Sequence, residues 1–302
     1  MSTTEPRGMF AIEDPSPYLS RPVEIAVEPI GDGIWTAGDG EYRTVFAAGE
    51  AGVIALNTFS TPAAARAYRE AIARTVPGEE ISTVVYTVDH LDHSGWSSVL
   101  APDAPVVAHE FCARVVAGRC CDGQKPADRT VAGSGEELTV DGVKLRLDYH
   151  GPSQGTGNLA VTFADRGVTF LVGPRADARY GLLPDFHFRH VTRVWREVAA
   201  GADGEVIVPG RGEVMTPRHL ERAADYIDAL AEASQRAFAE GLPIWIIQAM
   251  EPYVAEALGP DFGDLGGFSD HVGIGAMRLV HYYLMGGWGL EDSAVLDRLL
   301  AD

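Results

Sequence analysis

The chain has 302 residues, 46% of them hydrophobic, a mean hydropathy close to zero and a formal net charge of −19. That length accommodates one large core or two modest ones, and the composition is globular. The acidic surplus argues against a nucleic-acid partner and against an anionic membrane surface, and is read as serving solubility.

Three cysteines, Cys112, Cys120 and Cys121, form no disulfide framework, since their number is odd and adjacent cysteines bridge badly. The N-terminus lacks the basic and apolar segments of a signal peptide, and no apolar run reaches membrane-spanning length. A soluble protein of a reducing cytoplasm is expected.

Residues 1–22 carry Pro and Ser without periodicity and read as an N-terminal arm. Val23 to Ile30 alternates and turns at Gly31-Asp32-Gly33 into Ile34-Trp35-Thr36, a hairpin signal. Tyr42 to Ala48 and Gly52 to Asn57 make a second hairpin. Thr61-Pro62 supplies an N-cap and first-turn proline for a helix that Pro77-Gly78 stops. A β-branched strand, Val84 to Val88, ends in a polar turn. It is followed by a short helix near Ser97, a strand at Val106 to His109 and a helix from Glu110 to Ala117. Glu137 to Val140 and Val143 to Asp148 form a third hairpin. A Gly-rich loop then leads into strands at 159–163 and 168–172. Val191 to Ala200 reads as a helix, Glu205 to Val208 as a strand, and Thr216-Pro217 opens a long amphipathic helix ending at Gly241. The last sixty residues read as helical. Two runs of hairpin strands, each followed by strand–helix units, predict an α/β fold of two mixed sheets covered by helices, with a helical C-terminal extension.

The chemistry concentrates in the turn Asp89-His90-Leu91-Asp92-His93-Ser94-Gly95. Two imidazoles and two carboxylates at the end of a buried strand are either a solvated turn or a site, and strand ends are where α/β proteins keep their sites. His90, Asp92 and His93 have metal-ligating side chains; Asp92 is equally suited to orienting a histidine. Gly155-Thr156-Gly157 is too weak for a phosphate loop, since no Lys-Ser/Thr follows, so no nucleotide site is expected.

In this order, the pieces resemble the metallo-β-lactamase superfamily over about residues 23–241. They are Gly52 to Asn57 before Thr61 to Arg66, the turn Asp89 to Gly95, the loop Gly151 to Leu159, and Val208-Pro209-Gly210-Arg211-Gly212. The resemblance implies a four-layer αβ/βα sandwich over 23–241, with 242–302 packed on it as the helical extension. It also implies a zinc site built on His-x-His-x-Asp-His, a loop histidine, an aspartate after the next strand and a last histidine. Val88, Gln154, Pro174 and Arg211 stand at four of those seven positions, which leaves His90, Asp92 and His93.

Valine and proline have no donor atom, a carboxamide is a poor zinc ligand, and a guanidinium repels a cation. The family's usual di-zinc site is therefore not expected. Two readings stay open. One is a single divalent ion (Zn, Fe or Mn) on His90, Asp92 and His93 with a recruited ligand such as Asp185, His187 or His190. The other is a metal-free pocket in which His90 or His93 acts as acid or base, Asp92 fixes the tautomer, and Arg211 pairs with Asp92 or binds an anionic group. His150, Gln154, His187 and His190 are candidates to line the substrate pocket, while His109 reads as structural.

The expected function is an enzyme acting on a small organic, even anionic, substrate. Ester-like hydrolysis is what the resemblance implies. A lyase, isomerase or cyclase of secondary metabolism is the metal-independent variant, and a non-catalytic small-molecule-binding pseudoenzyme is the alternative. The aromatic residues between Phe262 and Trp288 read as a lid, a core or the surface of a homodimer.

Overall fold

A computed structural model describes residues 23–180, 186–202, 204, 206–243 and 245–284. The N-terminal arm, Asp185 and Trp288 lie outside the described residues.

Two sheets make the inner layers. The first has seven strands in chain order: β1 (Ala26–Gly31), β2 (Ile34–Gly38), β3 (Arg43–Ala48), β4 (Val53–Leu56), β5 (Ile81–Tyr86), β6 (Val106–His109) and β7 (Arg129–Val131). The second runs β12 (Val206–Pro209), β11 (Val168–Leu171), β10 (Ala160–Phe163), β9 (Val143–Asp148), β8 (Glu136–Val140). Pairings β4–β5, β5–β6, β6–β7 and β11–β12 are parallel and the rest antiparallel, so both sheets are mixed.

The period of two decides which side chains meet between the sheets. Ile54 and Leu56 of β4, Val85 of β5, and Leu145 and Leu147 of β9 enter one inter-sheet core. Val53, Ala55, Val84 and Tyr86 point the other way, onto α1 (Pro62–Thr75). On the far side, α5 (Phe188–Ala200) and α6 (Pro217–Ala239) cover the second sheet, with Trp195 fully buried among them. The chain is thus a four-layer αβ/βα sandwich. The remaining helices are α2 (Leu91–Ser94), α3 (Ser97–Leu100) and α4 (Glu110–Arg119), then α7 (Ile247–Phe262) and α8 (Phe268–Leu284), which pack on α6 as the C-terminal extension.

Local signals set the helix starts. Thr61 caps α1 by accepting from Ala64 N at 3.1 Å, and Thr216 with His219 forms a reciprocal capping box on α6. His109 caps α4, its Nδ1 accepting from Phe111 N while its ring stacks on Tyr149, which is the structural role expected of it.

Three details differ from the sequence reading. α5 begins at Phe188, three residues before Val191, so His187 is its N-cap and His190 lies in its first turn rather than in a loop. Leu91–Ser94 is a helical turn and Arg129–Val131 an edge strand; both are too short for a periodic signal. Phe262 and Phe268 are core residues against Tyr226, one of the roles expected of the aromatic group. Among the described residues, Phe238, Trp245, Ile246 and Leu284 are the exposed large apolar side chains of this region. Among the described residues no helix is long and apolar enough to cross a membrane.

Candidate active site

Five chain segments meet at one end of the two sheets: the exits of β4, β5, β11 and β12 and the entry to β3. Backbone bonds tie them together. Leu159 N donates to Thr87 O at 2.8 Å, Arg43 N to Gly210 O at 2.9 Å, and Asn57 donates to Thr87 across β4 and β5. Asn57 sits in the left-handed region (φ 53), and its side chain also accepts from Thr87 N at 3.0 Å, which fixes that strand exit.

The turn after β5 is held by its own polar groups. Ser94 Oγ donates to Val88 O at 2.6 Å, and Gln124 donates to Asp89 O and to Ser94 Oγ. Asp89 is buried and spent on Arg119, 2.7 Å away, so it braces the turn and does not face the site. His90 is the N-cap residue of α2, and Asp92 and His93 follow within that turn.

His93 is 3% exposed and its Nε2 has no hydrogen-bond partner among the described residues. Its ring meets Tyr42 edge-on at 5.3 Å. Gly210 permits this seat, because a Cβ there would stand 2.9 Å from the His93 ring. Burial, above the opposing charge of Asp92, pushes the His93 pKa down to about 4, so the imidazole is neutral at pH 7.

Arg211 crosses from the second sheet. Its Nη2 donates to Asp92 Oδ2 at 2.6 Å and to the Tyr42 hydroxyl at 2.9 Å, and its Nη1 donates to Glu41 at 3.1 Å. The guanidinium carbon lies 4.4 Å from the Tyr42 ring centroid, a cation–π stack. Burial raises the Asp92 pKa, but the imidazoles of His93 and His90 and the bonded guanidinium outweigh it, so the carboxyl falls below its ordinary value. Burial, then the Asp92 charge, lifts the Tyr42 phenol to about 12 and keeps it protonated.

His90, Asp92, His93 and Arg211 are therefore brought together. Gln154, 5% exposed, joins them on the wall of a small cavity beside His93 and Arg211. His187 borders this wall through its backbone N, which donates to Ser153 O at 2.7 Å. His190, one turn into α5, is half-buried. His150 stands apart: its Nδ1 is 3.0 Å from Glu197 in a separate cleft against α5.

The family's metals are tested by the donor set. Val88 is fully buried in the inter-sheet core, Pro174 offers no donor, and Arg211 places a positive charge on Asp92. Among the described residues no three His, Cys, Asp or Glu side chains are grouped to hold an ion. The residues present do not fit the family's two-metal site.

Sequence reasoning missed Tyr42, Glu41, Arg175 and Arg179. Arg175 and Arg179 line the same cavity, and Arg175 directly follows the Pro174 position, a proximity that is a readable signal. Tyr42 reaches Arg211 across 169 residues, and no local pattern announces that.

The His93 environment predicts a pH dependence of stability. The unfolded chain, with an ordinary imidazole near 6.5, takes up a proton that the folded chain refuses until about pH 4. Stability is therefore intact above pH 6.5 and declines as pH falls from 6.5 toward 4, by about 3 kcal/mol from this residue. Urea unfolding of the wild type and His93→Gln at pH 7 and pH 4.5 checks it. The wild type is expected to lose more stability on acidification than the variant, and equal losses would contradict the assignment.

No protein-family model matches the sequence. Two proteins of Nocardioides sp. (strain JS1661) do match it over most of its length. The 2,4-dinitroanisole O-demethylase subunit beta is 40% identical over 276 residues, 90% of this chain and 86% of that protein. The subunit alpha of the same enzyme is 34% identical over 293 residues, 95% of this chain and 88% of that one. Among solved structures, the mono-zinc form of the metallo-β-lactamase FIM-1 from Pseudomonas aeruginosa superposes with a TM-score of 0.60 at 17% identity, covering 69% of this chain and 96% of that one. A metallo-β-lactamase from Hirschia baltica gives 0.58 at 17%, covering 68% and 97%. At that identity the structures speak for the fold. With the two curated relatives beside them, the chain belongs to the family of the 2,4-dinitroanisole O-demethylase subunits, on the fold of the metallo-β-lactamase superfamily.

Proposed function

We propose that this chain is a hydrolase of electron-poor aryl ethers that works without a metal, converting a methoxyarene and water into a phenol and methanol. The observation that carries the reading is a fixed guanidinium, Arg211, bonded to Asp92 at 2.6 Å beside the buried, unpartnered Nε2 of a neutral histidine, His93. The relatives' names supply the substrate class, since both are subunits of an enzyme that O-demethylates 2,4-dinitroanisole.

Two nitro groups withdraw density from the ring, so water adds at the carbon bearing the methoxy group and the negative charge spreads over the ring and the nitro oxygens. His93 takes the proton of that water at Nε2 and, as imidazolium, faces Asp92 3.8 Å away. Arg211 lies against the developing charge. The C–O bond to the methoxy group then breaks, methoxide recovers the proton from His93, and methanol leaves. The cavity beside His93, about 20 Å³, has room for one water, with Gln154 on its wall to orient it. His90 adds to the field that keeps Asp92 ionised. His150, held by Glu197, takes no part.

Release of 2,4-dinitrophenolate from 2,4-dinitroanisole, followed by absorbance under nitrogen with a chelator present, tests this. Folded Arg211→Gln and His93→Gln are each expected to lower kcat/KM by about 100-fold or more. Absence of turnover in the wild type, or full activity in both variants, would overturn the reading.

We also read the chain as working in an assembly, because both relatives are named as subunits. Sedimentation at micromolar concentration is expected to give a mass above that of one 32.3 kDa chain; a clean monomer would refute this.

A further inference from the structure

The segment after β11 carries a second pair of arginines into the same cavity. Arg175 donates through Nε and Nη2 to the two oxygens of Asp177, at 2.7 and 3.0 Å. Arg179 donates through Nη1 to Asp177 at 3.0 Å, and its backbone N to the same carboxylate at 3.1 Å. One carboxylate thus holds two guanidiniums. Nη1 of Arg175, and Nε and Nη2 of Arg179, take no part in those bonds. The buried Nε of Arg211 and Nε2 of His93 lack a partner among the described residues, and all four residues line the same cavity.

The surroundings preserve this arrangement. Tyr180 accepts from Arg175 N and donates to Arg175 O, each at 2.9 Å, which pins the backbone at Arg175. Gly267, at φ +75, lies where a Cβ would come within 3.0 Å of Arg179 Nε, so the turn before α8 is open to that side chain. Three carboxylates (Asp92, Asp177 and Glu41) face three guanidiniums here. The cluster is balanced in charge yet rich in N–H donors. Such a site favours a neutral ligand with paired, planar acceptor oxygens over a preformed anion, whose charge the three carboxylates oppose.

Resting on the hydrolase reading above, we propose that Arg175 and Arg179, yoked by Asp177, select the substrate by hydrogen-bonding the two oxygens of a nitro group on its ring at the open side of the cavity, where Arg179 is half exposed, while the enclosed space holds the water. They then hold the negative charge that moves onto those oxygens when water adds. The substrate class is therefore a neutral nitroarene ether, and nitro geometry is the feature recognised.

The test measures equilibrium binding of 1,3-dinitrobenzene, a neutral nitroarene with no leaving group, alongside turnover of 2,4-dinitroanisole, in the wild type, Arg179→Gln and Arg179→Lys. Arg179 is half exposed, so both variants are expected to fold, which thermal unfolding verifies. Arg179→Gln is expected to weaken dinitrobenzene binding and raise KM at least tenfold. Arg179→Lys is expected to recover little of either, because an ammonium cannot present the fork. Active wild type with both variants binding as tightly as it does would overturn this inference and leave the hydrolase reading standing. Wild type that neither binds dinitrobenzene nor turns over the ether would remove both.

Discussion

The ion pair between Arg211 and Asp92, 2.6 Å long, is the contact on which the rest of the site depends. It joins the end of β12 to the turn after β5 and draws in Tyr42 from the entry to β3, so one guanidinium ties both sheets at the end where their strands exit. Both partners are about one-third exposed, and such a pair adds little to stability. Its effect is positional. It sets a permanent cation where a ligand to a metal is expected in this fold, and it keeps Asp92 ionised beside a neutral histidine.

That arrangement divides the work by environment. His93 is stripped of water and stays neutral, Tyr42 is stripped of water and keeps its proton, and Asp92 has its pKa held low because His93, His90 and the bonded guanidinium outweigh its burial. A neutral base, a fixed positive charge and a cavity of one-water size therefore share a wall. Gly210 is the small residue that lets the histidine approach so closely, and Asp177 plays for Arg175 and Arg179 the part that Asp92 plays for Arg211.

The fold was legible because both sheets write their period into the sequence. Val143, Leu145 and Leu147 alternate with Lys144, Arg146 and Asp148, and the two-faced burial of β4 and β5 shows as unbroken apolar runs. Thr61-Pro62 and Thr216-Pro217 carry their own capping chemistry. The grouping that makes the candidate site was legible where it lies on one turn, at His90, Asp92 and His93, and at Arg211 through its glycine-flanked loop. It was illegible where partners are distant in sequence. The engagement of His150 by Glu197, of Asp89 by Arg119 and of Tyr42 by Arg211 are tertiary choices that no local spacing records. His190 was read as a loop residue because the helix that holds it starts without a Ser, Thr, Asp or Asn cap.

The central claim, that Arg211 stands in for a metal, is tested most directly by titrating zinc into chelator-treated wild type and Arg211→His, with bound metal measured after gel filtration. The account predicts no stoichiometric zinc on the wild type and a gain of binding when the guanidinium is replaced by an imidazole. One tightly held equivalent on the wild type, lost with His90→Ala, would contradict it.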